Sequence, residues 1–210
     1  MSALDPLAVQ AAPHGLIVMG ALHEDAQTLV LLGTGPGFWP VFTASTEHAD
    51  GAPDPVDRWS TRVIGALAVQ AGAARAVFPF GGPPHAPFLA WAKASGRAWS
   101  SPVGMLVHDR AGLMISYRGG LVFDGLLPLP EPARKPCDTC AAPCATACPV
   151  DALDAGRGYD VAACHAFLDT AAGQDCLTQG CRARRACPVS QAFGRDPAQS
   201  AFHMKAFHPS

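Results

Sequence analysis

The chain has 210 residues, 49% of them hydrophobic and 15% charged, with a formal net charge of −2, a composition that suits a packed globular protein and excludes a disordered or fibrous one. A pI near 6.4, with neither a basic face nor a basic tail, gives no support to a nucleic-acid or acidic-membrane partner. No uncharged apolar run approaches the roughly 18 residues of a membrane-spanning helix, so no membrane insertion is expected.

The first residues, MSALDPLAVQAAPHG, place acid and proline where a signal peptide needs a basic start and an apolar core. A cytoplasmic location is therefore expected. Residues 15–20 (GLIVMG) and 28–32 (TLVLL) are short apolar runs between turn residues, and the pattern predicts buried strands. GTGPGFWP follows as a loop. It lacks a third glycine in the place a dinucleotide-binding fingerprint requires, and Phe38, Trp39 and Pro40 stand where a helix should open. Residues 57–73 carry Trp59, Val63, Ile64 and Leu67 at helical spacing, with Gly72 near the end, which predicts a helix with one buried face.

Further along, 76–80 (AVFPF) is strand-like and 87–95 (PFLAWAKAS) suits a short helix with proline in its first turn. Three more short strands are expected at 105–107, 113–117 and 121–123, separated by glycine turns. Strands mixed with helices predict an α/β or α+β domain over 1–127. The proline-rich segment 128–136 is expected to be a linker, and 137–210 a second, smaller module.

All eight cysteines fall in that last segment: CDTCAAPCATACPV, then Cys164, Cys176, Cys181 and Cys187. In a reducing compartment thiols at this density favour metal ligation over disulfides. Each set of four ends in Cys-Pro, which fits two [4Fe-4S] clusters, each set lending its last ligand to the other cluster as in two-cluster ferredoxins. The expected ligand sets are Cys137, Cys140, Cys144 with Cys187, and Cys148 with Cys164, Cys176 and Cys181. A zinc site is the competing expectation, although only Cys137 and Cys140 form the paired knuckle that zinc prefers. Two basic clusters, Arg134 with Lys135 and Arg182 with Arg184 and Arg185, are either solvated surface or compensation for cluster charge.

CDTCAAPCATACPVDAL, Cys164 of CHAFLDT and GCRARRACPVSQ together resemble the ferredoxin module of epoxyqueuosine reductases and corrinoid reductive dehalogenases. In that family a further cysteine stands near Arg184, and Cys176 would replace it. DPVDRWSTRVI and GMLVHDRAGLMISYRGGLVF are similar to stretches of the cobalamin-processing CblC-like proteins, whose core is of flavin-reductase type. The resemblance implies a flavin-reductase/CblC-like front domain, a bacterial-ferredoxin-like module, and electrons passing from an external donor protein through the clusters to a corrinoid (cobalamin). A cobalamin-reductase type of oxidoreductase is the expected class; a ferredoxin-type carrier that docks a partner, or a cobalamin carrier, are the alternatives. GRAWSSP has no acid where epoxyqueuosine enzymes carry a proton donor, so tRNA modification is not expected.

His108 of the matched HDRAG element, Arg110 and Arg118 are the candidate cofactor contacts, set against loop or surface roles. Trp39, Trp91 and Trp99 suit a core, and His165, though next to a cysteine, is not needed as a ligand. His203 and Met204 belong to a terminal amphipathic segment.

Overall fold

A computed structural model describes residues 4–209; the outermost ends of the two expected domains, 1–3 and 210, lie outside the described residues. The chain is mixed α and β and packs as two compact units, one of residues up to Arg97 together with Ser116–Ala133, the other of Ala98–Ile115 together with the chain from Arg134 onward.

The first unit opens with helix α1 (Asp5–Ala11) and the hairpin β1 (Leu16–Glu24) and β2 (Gln27–Thr34). Asp25 takes a left-handed conformation in the two-residue turn between them, the geometry that matches strand twist in a tight hairpin. GFWPVFT is not a plain loop: Phe38–Thr43 forms α2, followed by α3 (Thr46–Ala49). Phe38 and Phe42 are fully buried, stacked on each other and set edge-on to Trp59. Burial of these rings holds a segment that its glycines and proline alone would leave irregular.

Helix α4 (Pro55–Ala71) begins with proline in its first turn and ends at the left-handed Gly72. Its buried face is Val56, Trp59, Ser60, Val63, Ile64, Leu67 and Ala68, a stripe that recurs every three to four residues. It packs on β3 (Arg75–Val77) and, after α5 (Phe88–Ala94), the chain leaves this unit to form β4 (Ala98–Ser100) and β5 (Leu106–His108). It returns as β6 (Tyr117–Asp124), which pairs antiparallel with both β2 and β3 and completes the four-stranded order β1-β2-β6-β3. Strand β2, with a neighbour on each side, is buried at every position after the first.

The expected strand at 113–117 is absent, because Leu113 and Met114 turn inward in the second unit and only Tyr117 joins β6. Gly119 and Gly120 fall inside that strand instead of separating two.

In the second unit β4 and β5 form a small antiparallel pair, and β7 (Leu153–Asp154) with β8 (Gly158–Tyr159) another. Five short helices follow: α6 (Val161–Leu168), α7 (Gln174–Gln179), α8 (Arg182–Ala186), α9 (Pro188–Phe193) and α10 (Pro197–Phe207). The core joins Val103, Val107 and Leu113 of the inserted segment to Leu153, Ala183, Cys144 and Cys187. Gly112, at φ +57°, lies so close to α9 that a Cβ would stand 2.4 Å from the Ser190 nitrogen, and the Ser190 hydroxyl accepts the Leu113 N–H at 2.8 Å. Residues 98–115, expected in the front domain, therefore fold with the cysteine-bearing chain. Among the described residues no helix is long and apolar enough to cross a membrane.

Candidate thiol site

The eight cysteines are all free thiols. Pro136–Thr139 and Pro143–Thr146 are single turns of tight helix, each opened by a proline whose missing N–H costs nothing there. They place Cys137, Cys140 and Cys144 around a cavity of about 360 Å³, which Cys187 closes from the start of α9. Val107 and Leu113 supply apolar wall from the inserted segment.

Burial pushes the Cys137 thiol up, against the opposing pull of the Lys135 ammonium, and Cys187 and Cys140 raise it further. Cys144 is raised by burial and then by Cys187, Cys137 and Cys140. Those four are thus electrostatic neighbours. Cys164 is raised by burial, with Cys181 and Cys148 adding to the shift while a hydrogen bond with Tyr159 lowers it. Burial likewise raises Cys176, opposed by the backbone N–H of Arg182. Tyr159 is pushed far above the ordinary phenol range, by burial first and then by Cys164. Nothing in the sequence marked that tyrosine beyond its position shortly before Cys164.

Among the described residues no group of three or more His, Cys, Asp or Glu side chains is arranged so that it could hold a metal ion. This overturns the two [4Fe-4S] clusters expected on Cys137, Cys140, Cys144 and Cys187 and on Cys148, Cys164, Cys176 and Cys181. With them go the ferredoxin-module and corrinoid-reductase resemblance, the iron-sulfur electron path, and cobalamin as its acceptor. Several of the cysteines have local roles instead. The Sγ of Cys140 accepts the Ala142 N–H at 3.4 Å and that of Cys148 the Ala152 N–H at 3.3 Å, so each closes its own turn. Cys144, Cys176 and Cys187 are buried, as small apolar side chains commonly are.

The three candidate cofactor contacts are divided between the units. His108 ends β5 in the second unit and is fully buried. Its Nδ1 accepts the backbone N–H groups of Arg110 and Ala111 at 3.1 and 3.3 Å, which closes the turn after the strand. Arg110 is exposed on that turn. Arg118 lies on β6 in the first unit, where it pairs with Asp57, donates its Nε–H to Ser60 Oγ at 3.0 Å and stands 5.4 Å from the Phe80 ring centre. Burial lowers its pKa, and Asp57 counters that shift. Trp39 and Trp91 are half-buried, and Trp91 donates its indole N–H to Glu24 at 2.7 Å; Trp99 packs against the thiol-unit core. The His165 ring meets Phe207 and His208 edge-on.

No family model, curated protein or solved structure matches the chain.

Proposed function

We propose that the chain is a thiol-based redox protein whose Cys137 and Cys140 cycle between dithiol and disulfide. The observation that carries this reading is the shared cavity: Cys137, Cys140, Cys144 and Cys187, all free, line one apolar recess. The Cys140 N–H donates to the Cys137 carbonyl at 3.3 Å, and a hydrogen-bonded turn of this kind keeps its end Cα atoms within about 7 Å, inside the range a disulfide can bridge. Both thiols are half-buried, whereas Cys144 and Cys187 are buried. Cys137, which opens the turn, is taken as the attacking sulfur; burial raises its thiol and the Lys135 ammonium opposes that shift.

The exchange balances without another cofactor. The Cys137 thiolate attacks a partner disulfide and releases one partner thiol; the Cys140 sulfur then displaces the second. The partner gains two electrons and two protons, and Cys137 and Cys140 lose them to form one S–S bond. The partner class is a disulfide-bearing protein or small disulfide, and the setting that suits eight free thiols is the cytoplasm.

The test is equilibration of anaerobically purified protein in glutathione buffers of graded potential, with free thiols counted and disulfides mapped by mass spectrometry. Loss of two thiols in a single transition, mapped to Cys137 and Cys140 and abolished by Cys140→Ser, is the expected result. Absence of that disulfide across the whole range overturns the proposal, as does metal analysis that finds the thiols already occupied as ligands.

A further inference from the structure

Arg195 sits between Gly194, which ends α9, and Asp196, which caps α10. Its Nε and Nη2 are shut off from solvent and have no hydrogen-bond partner. Its Nη1 donates to the Met114 thioether sulfur at 3.9 Å. Arg184 of α8 donates Nη1–H to the carbonyl of Leu113, the preceding residue, at 2.9 Å. Two guanidinium groups thus converge on consecutive residues of the inserted segment, and among the described residues neither has an acidic partner. Arg182 and Arg185, on the same helix, share Asp175.

A guanidinium stays protonated in a protein. Burial first, and then the Arg184 charge, lower Arg195 to about 10, which still leaves it a cation at neutral pH. A buried cation beside a like charge, with two N–H groups unpaired, is a costly arrangement. The unpaired atoms are also not a random pair: Nε and Nη2 form the side-on fork with which arginine grips two oxygens of one carboxylate or phosphate. The side chain as a whole is half-buried while the fork itself is shut off from solvent, so an anion reaches Nε and Nη2 only when the side chain or its cover moves.

We propose that Arg195, with Arg184 beside it, is the receptor for a small oxyanion whose two oxygens occupy the Nε and Nη2 fork. The anion offsets the charge of Arg195 and satisfies both orphaned donors at once. It is independent of the thiol chemistry and binds whether Cys137 and Cys140 are reduced or joined.

Inorganic phosphate and acetate, each titrated into the intact protein in chloride buffer at constant ionic strength, are the two arms of the test, read by calorimetry and by thermal unfolding. Binding stabilises the folded state by mass action, so the unfolding temperature rises with the logarithm of anion concentration in at least one arm. The arm that responds identifies the class: phosphate for phosphoryl ligands, acetate for carboxylates. Arg195→Met abolishes the response and raises the anion-free unfolding temperature, because it removes an uncompensated buried charge. Arg195→Lys keeps the charge without the fork and weakens binding by about tenfold or more. If Arg195→Met does not fold, Arg195→Lys and Arg184→Gln carry the comparison. No heat and no shift in either arm, or an unaltered response in the Arg195 variants, overturns the proposal.

Discussion

A Cβ on Gly119 of β6 would stand 2.9 Å from Cδ1 of Ile64 in α4, so the sheet and its covering helix meet at a glycine. The Val77 carbonyl, 3.1 Å from the same point, closes the other side. Gly119→Ala is expected to overpack this contact and cost about 1–3 kcal/mol. Ile64→Val removes one methyl group and costs about 0.5–1.5 kcal/mol on its own, yet in the double variant it gives the new methyl room. The combined loss in chemical denaturation should be smaller than the sum of the two. Gly65→Ala, one residue along α4 with nothing within 4 Å of the added carbon, is the control and should gain up to about 1 kcal/mol.

That helix was legible in the sequence because Trp59, Val63, Ile64 and Leu67 repeat with the helical period, and β1 and β2 because apolar runs ended at turn residues. The fate of residues 98–115 was not. Val103, Val107 and Leu113 are apolar whichever core receives them, and the absence of cysteine up to residue 127 suggested a boundary that the chain does not observe. Cysteine spacing conveys which thiols share a turn, but not whether their sulfurs converge on one point or accept nearby N–H groups, as Cys140 and Cys148 do. Arg195 carries no sequence signal at all, since nothing local distinguishes a buried arginine from a solvated one.

Ser190 holds the inserted segment to α9 by one buried bond, its hydroxyl accepting the Leu113 N–H. Ser190→Ala leaves that N–H without an acceptor in the core and should destabilise the protein by about 1–3 kcal/mol. Hydrogen exchange resolves the effect to its source: the Leu113 amide should lose protection, while the amides of β2 keep theirs. Equal loss at both would mean that the bond has no local role.

Acid should weaken the first unit through Glu47. This carboxylate is buried in the first turn of α3 and held to about 2 by Arg62, whose Nη2 donates to it at 2.9 Å. Its folded-state pKa lies below the ordinary value of 4.5, so the stability it contributes is complete above pH 4.5 and is lost as pH falls toward 2. Thermal unfolding followed between those values should show a steeper decline for the wild type than for Glu47→Gln, which cannot titrate. Parallel declines would assign the acid sensitivity to other groups.

The buried thiols predict the opposite limb. Cys144 is raised above 9.0 by burial and by the sulfurs around it, so the folded state keeps its proton to higher pH than the unfolded chain does. The corresponding stability is full below pH 9.0 and is lost as pH rises through the folded-state value. Two measurements follow from the same shift. Alkylation of native Cys144 by iodoacetamide should lag that of the half-buried Cys140 at neutral pH, because both access and thiolate fraction limit it. Replacement by alanine, which keeps a small apolar group in the core, should flatten the alkaline fall in unfolding temperature while lowering the plateau slightly. A Cys144 that alkylates as fast as Cys140 in the native protein, or an alkaline limb unchanged in Cys144→Ala, would show that the recess does not hold this thiol protonated.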